Sequence, residues 1–343
     1  KSSILYAMTP LDPAALAADL VRLESTSGNE GEIVSYVDDL LSDRGWRVTR
    51  IPVSPGRDDL LATSVASPLV TLSTHLDTVP PFIPPRFAGG RLFGRGACDA
   101  KGIAAAMCCA AERLREHGVP VALLFVVGEE TIHDGATAAN TVSTTSRVLI
   151  NGEPTESTLA LGTKGALRLA LRTTGKAAHS AYPALGHSAT RDLVHLLAEL
   201  DALELPSDAM LGETTINIGS LAGGVADNVI APWAEARLMA RLVTPAADIE
   251  NLLTRWVAGR ASIEFEALVP PVKLGHIEGL PTSIVAYATD IPKLSNWGTP
   301  YLFGPGSIHV AHTDEEYVEL EELRRAVGIY ERLAVDALAR AAG

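Results

Sequence analysis

Glu129 and Glu130 stand side by side in GEETIHDG, directly after the apolar run VALLFVV. Neighbouring carboxylates resist ionising together unless positive charge lies close by. A pair at the end of a buried-looking run therefore asks for a cationic partner. Other apolar runs also end in polar residues. LVTLSTHLDTVP supplies His75 and Asp77, GRGACDAKG supplies Asp99, and RVLINGEP supplies Glu153. YLFGPGSIHVAH offers His309 and His312. In a parallel sheet, ligands bind beyond the carboxyl ends of the strands. Residues far apart in sequence can thus meet along one edge. Imidazoles and carboxylates gathered there suit zinc or similar divalent ions.

Each residue has a plainer reading when taken alone. Asp99 precedes a helical stretch and would serve as its N-cap. Asp77 would cap a turn, His75 would be a strand-end histidine, and Glu153 a solvated loop acid. The pattern does not choose between His309 and His312. Glycines around Phe93 and in FGPG lack the full phosphate-loop pattern, and no dinucleotide fingerprint follows the first strand.

The elements that must position these residues follow from periodicity. DPAALAADLVRLEST reads as a helix capped by Asp12, with Pro13 in its first turn. GEIVSYVDDLLSDRGW is a second helix, with an apolar stripe of Ile33, Val34, Val37 and Leu41. WRVTRIPV, LLATSV, LVTLST, VALLFVV and RVLING read as strands, and KGIAAAMCCAAERLREHG as an Ala-rich helix. Short apolar strands alternating with helices predict an α/β fold with a mainly parallel, buried sheet. The pattern changes after Gly162. Strand, helix, two strands, helix and strand then follow over roughly 165–270, the order of a small antiparallel α+β unit. We expect a catalytic domain at 1–164 and 271–343, interrupted by an inserted domain at 165–270.

Composition narrows the function classes. The chain has 343 residues, 47% hydrophobic and 20% charged, with a net charge of -13. That acidity and the lack of a basic stripe argue against a nucleic-acid partner. No long uncharged apolar run predicts a membrane span. Cys98, Cys108 and Cys109 have no framework spacing, which fits a reducing compartment. The opening KSSILYAMTPLDPAALAADL is not read as a signal peptide, so a cytoplasmic location is expected.

Taken in order, the motifs HLDTVP, GRGACDAKG, EE, GEPT and GPGSIHVAH closely resemble the M20 family of metallopeptidases and deacylases. GKAAHSAYP at 175–183 and GGVADNVIAP at 223–232 extend the match into the inserted segment. The chain looks most like the branch containing acetylornithine deacetylase and succinyl-diaminopimelate desuccinylase. That resemblance implies a ferredoxin-like inserted domain serving as lid and dimer interface. It also implies two divalent ions, zinc being expected and cobalt or manganese able to substitute. His75 and Glu153 would hold one ion, Glu130 and His312 the other, with Asp99 between them. Asp77 would orient His75 through its second ring nitrogen, and Glu129 would be the general base. His179 would reach across a homodimer to steady the oxyanion. Asn228 and Arg241 would face the substrate, Arg241 gripping a carboxylate.

The implied substrate is a small N-acyl amino acid, cleaved at its amide bond. A dipeptidase or carboxypeptidase using the same metals is the alternative. GTKGALRL leans towards deacylases, while Ala near the final Arg of AEARLMAR departs from the family's frequent Asp. Cys98 beside Asp99 is read as packing rather than as a nucleophile.

Overall fold

The computed structural model describes residues 9–342. The stretch Lys1–Met8, part of the segment read above for a leader, lies outside the described residues. The chain forms two compact units. One extends to Leu161 and resumes over Leu274–Ser283 and from Thr289 onward; the other comprises Gly162–Lys273 with Ile284–Ala288.

The first unit is built on a mixed sheet. Its strands run in the order Arg47–Ser54, Arg57–Thr63, Val121–Val126, Val70–His75, Val148–Asn151, Thr299–Leu302 and Leu159–Thr163. Only the four strands from Val121–Val126 to Thr299–Leu302 are mutually parallel. The flanking pairs are antiparallel. The expectation of a mainly parallel sheet thus holds at the centre and fails at the edges. There, Arg47–Ser54 and Arg57–Thr63 are joined by a tight turn, and two strands so joined can only run antiparallel.

VALLFV is apolar throughout because both faces of its strand are covered. Val121, Leu123 and Phe125 enter the main core, which also holds Leu20, Ile103, Met107, Leu323 and Tyr330 from the helices Pro13–Arg22, Lys101–Glu116 and Leu320–Ala342. Leu124 and Val126 point the other way, into a smaller core with Ala136, Ala139 and Trp297. Each large apolar side chain so buried contributes about 1.5–3 kcal/mol. The first helix opens as its sequence predicts, with Asp12 accepting from the Ala14 N–H at 2.9 Å. Asp99 does not cap the Lys101–Glu116 helix. Ala100 occupies the cap position without a side-chain bond, which leaves the Asp99 carboxylate to other partners.

The second unit is a four-stranded antiparallel sheet, ordered Thr215–Gly223, Trp233–Leu242, Gly165–Thr174, Ser262–Val269. Helices Ala189–Ala198 and Ala246–Val257 contribute Leu193, Leu196, Ile249 and Leu253 to a core with Leu167, Leu169, Ala236 and Leu238. Alternate residues of the same strands form ion pairs on the opposite face, as Arg172 does with Glu235 and Arg237 with Glu266.

Candidate metal centre

The four parallel strands all end on the same edge of the sheet, and each delivers chemistry there. His75 closes its strand, opposite Val126. Glu129 and Glu130 follow Val126, Glu153 follows Asn151, and His312 lies on the segment after Leu302. Gly128 makes the turn between strand and acid pair. Its φ is +75°, and an added Cβ would meet Asp134 Oδ1 at 2.0 Å, so glycine is required there on two counts.

Asp99 is shared by two clusters of donors. His75, Asp99 and Glu153 form one, and Asp99, Glu130 and His312 the other; within each, the candidate ligand atoms all lie within 4.8 Å. His75 Nε2 is 3.2 Å from Asp99 Oδ1 and 3.9 Å from Glu153 Oε2. His312 Nε2 is 3.3 Å from Asp99 Oδ2 and 3.0 Å from Glu130 Oε1. Asp99 therefore offers one oxygen to each side. His75, Asp99 and Glu153 are buried, whereas the His312 side chain is 48% exposed. His309 is well exposed and lies 3.8 Å from Glu156, outside both clusters.

The electrostatics suit cations. Burial opposes a charged imidazole at His75, yet Asp77 and Asp99 together lift it well above its ordinary pKa. Asp99 and Glu130 raise His312 to about 10. Burial pushes Glu153 and Glu129 up, with neighbouring carboxylates adding to the effect. A cluster that draws protons onto its histidines will exchange them for divalent ions. Glu153 Oε1 is buried and has no hydrogen-bond partner among the described residues, a costly arrangement that a bound cation would relieve. Two imidazoles and three carboxylates, one of them shared, thus fit a pair of divalent ions. The donor types do not single out one metal.

Asp77 has more partners than the His75 ring alone. His75 Nδ1 lies 2.9 Å from the Asp77 backbone oxygen but 3.5 Å from the carboxylate. The carboxylate also accepts from Ser27 Oγ at 2.7 Å and from the backbone N–H groups of Glu129 and Glu130 at 3.1 and 3.2 Å. Its charge therefore anchors the acid pair itself. A carboxylate beyond a turn is well placed to accept such exposed N–H groups.

Other contributors escape the strand-end pattern. Glu316 Oε1 accepts from the N–H groups of Cys98 and Asp99 at 3.1 and 3.2 Å, while Glu316 Oε2 meets Arg95 at 2.6 Å. This buried pair holds the backbone beneath the shared ligand. Cys98 is buried in that turn, and burial raises its thiol well above its usual pKa, unlike a reactive thiolate. A third group, Glu129, His133 and Asp290, lies beside the acid pair. Glu316 sits in a polar stretch where no apolar run points to it, whereas Asp290 closes the apolar run SIVAYAT and is open to the same strand-end signal as His75.

In the second unit the two motif stretches meet. His179 bridges to Val229, and Ser180 N–H donates to the Asn228 carbonyl at 2.9 Å. His179 and Asn228 are both exposed. Arg241 is half-buried and has no carboxylate partner among the described residues. Burial and neighbouring Arg168 lower its pKa.

Known proteins share this architecture and sequence. A Staphylococcus aureus tripeptidase superposes with a TM-score of 0.79 at 20% identity, covering 95% of this chain and 98% of its own. A Schizosaccharomyces pombe peptidase M20 domain-containing protein is 38% identical over 94% of this chain and 84% of its own length. A probable carboxypeptidase of Aspergillus fumigatus is 37% identical over 94% and 86%. The model of peptidase family M20/M25/M40 matches residues 71–336, from the His75 strand into the C-terminal helix. The chain therefore belongs to that family and is a metal-dependent amidohydrolase.

Proposed function

We propose that this chain is a carboxypeptidase-type exopeptidase that releases a C-terminal amino acid from a short peptide. The Asp99 carboxylate, offered to two donor clusters at once, is the observation that carries the two-ion chemistry. Relatives described as probable carboxypeptidases favour a peptide over the N-acetyl or N-succinyl amino acid expected from the sequence. The two substrate types share one feature. In both, the departing amine belongs to an amino acid with a free carboxylate. Arg241, half-buried beside Arg168 and lacking an acidic partner, is proposed to take that carboxylate, and Asn228 to hydrogen-bond the substrate.

His75 and Glu153 would hold one ion, Glu130 and His312 the other, and Asp99 both, zinc being the proposed metal. When bound, two such ions lower the pKa of water and polarise the amide carbonyl. Glu129 takes a proton from the attacking water and passes it to the departing nitrogen. Burial raises the Glu129 pKa, which favours its holding that proton between the two steps. Asp77 keeps the backbone of this base in place. The second unit is proposed as a ferredoxin-like lid and dimer interface, with His179 donating to the oxyanion in the partner's site.

Release of free amino acid is the test. The zinc-loaded protein is given N-blocked dipeptides, unblocked tripeptides, and N-acetyl and N-succinyl amino acids. Preferential release of the last residue from N-blocked dipeptides is expected. Cleavage confined to N-acetyl or N-succinyl amino acids would overturn the exopeptidase reading and restore the deacylase one. Glu129→Gln should lower turnover about 10²–10⁴-fold with metal content intact, whereas Glu130→Gln should lose metal.

A further inference from the structure

We infer that His133, anchored by Asp290, is a positioning residue for the carboxylate of Glu129. The inference rests on the proposed role of Glu129 as general base. The loop after Gly128 closes on itself, with the His133 N–H donating to the Gly128 carbonyl at 2.9 Å. His133 then stands at φ 55° and ψ 33°, in the left-handed region, directly before the short helix Asp134–Ala139. Glycine suits that conformation best; among other residues it is uncommon, although histidine adopts it more readily than most. A residue held against its backbone preference beside a reactive group points to a use for its side chain.

The ring contacts show that use. His133 Nδ1 lies 2.8 Å from Asp290 Oδ1 and 3.8 Å from Glu129 Oε1. Asp290 is 1% exposed, so its carboxylate is a fixed acceptor. The Nδ1–H donates to Asp290 and locks the ring. The locked ring stands 3.8 Å from Glu129 Oε1 and limits where that carboxylate rests. Asp77 already pins the Glu129 N–H at 3.1 Å. Asp77 thus fixes the base at its backbone, and the His133 ring bounds the space open to its tip. A base that must reach first a water and then a departing nitrogen depends on that restraint, because a displacement of about 1 Å can cost about 10²-fold in rate.

His133→Gly removes the ring while relieving the backbone, so a loss of activity will not come from a strained loop. His133→Asn keeps a donor near the Nδ1 position and tolerates the left-handed backbone. Both variants and Glu129→Gln are assayed as zinc-loaded full chains, on whichever substrate of the panel above the wild type cleaves. His133→Gly should lower kcat about 10–100-fold, leave KM within about twofold and keep the metal content. His133→Asn should recover most of the lost kcat. In metal-free, ¹⁵N-histidine-labelled protein, the His133 ring should show Nδ1 protonated.

A kcat near wild type for His133→Gly would overturn the inference, as would an Asn variant no better than Gly or an unprotonated Nδ1. A third ion per chain that disappears in His133→Gly would make His133 a ligand instead, and would also overturn it. Wild-type turnover by Glu129→Gln would instead refute the general-base reading, so the two failures are distinguishable.

Discussion

Asp59→Asn should make the first unit less sensitive to pH. Asp59 is fully buried on the Arg57–Thr63 strand. Its Oδ1 accepts from the Val127 N–H at 3.0 Å, just before the acid-pair loop, and its Oδ2 has no hydrogen-bond partner among the described residues. Burial is the largest influence on its carboxyl; Asp290 and Asp134 add to it, while the Val127 N–H and Arg57 oppose it. The result is a rise from 3.8 to about 8. A group raised on folding contributes stability below its unfolded pKa and loses it as pH climbs towards the folded one. The window is therefore roughly pH 4 to 8, with a slope of about 1.4 kcal/mol per pH unit.

Asn has the same shape, keeps the Oδ1 acceptor and does not titrate. Relative to Asp59→Asn, the wild type should lose about 2.7 kcal/mol between pH 5 and 7. Urea unfolding measures this when Trp233 and Trp256 are replaced by Phe in both proteins. The signal then comes from Trp46 and Trp297, both buried in the first unit. Subtracting the two curves cancels titrations that the proteins share. Curves that stay parallel within about 0.5 kcal/mol across that range would show that Asp59 is ionised in the folded protein, refuting the argument from burial.

Arg95→Met leaves Glu316 buried without its ion-pair partner. It should cost about 3–5 kcal/mol in denaturant unfolding and weaken metal binding in calorimetric titrations, because Glu316 holds the Asp99 backbone. Gly128→Ala forces a Cβ against Asp134 and should lower turnover more than metal content, as measured by kinetics and elemental analysis. Chelation should abolish hydrolysis and lower the thermal midpoint; zinc restored at 100 times its Kd should return about 2.7 kcal/mol of stability. For the proposed dimer, mixing His179→Ala chains with Glu129→Gln chains should restore activity towards half that of a wild-type dimer. Continued inactivity after verified subunit exchange would place His179 in its own chain's site.

Much of the site was legible because the features concerned are local. An unbroken apolar run such as VALLFV states that both faces of its strand are covered, and Asp12–Pro13 states where a helix begins. The polar residues at the ends of such runs marked His75, Glu130 and Glu153 before any contact was known. Pairing direction is not local. It depends on how distant segments connect, so the antiparallel edges of the sheet appear only in the folded chain. The strand-end pattern alone left His309 and His312 open, the family resemblance pointed to His312, and the fold sets its Nε2 3.0 Å from Glu130 Oε1. His312 takes φ 65°, against its own backbone preference, under restraints from residues far away in sequence. The carboxylate of Asp77 serves the acid pair as well as facing His75, because a turn 52 residues later presents its N–H groups there. Glu316 lies in an unremarkable polar stretch 217 residues from Asp99, and Asp290, though it closes the apolar run SIVAYAT, finds its partner His133 157 residues away. A sequence records which groups can donate and accept, but only the packed chain decides which of them lie within 3 Å of one another.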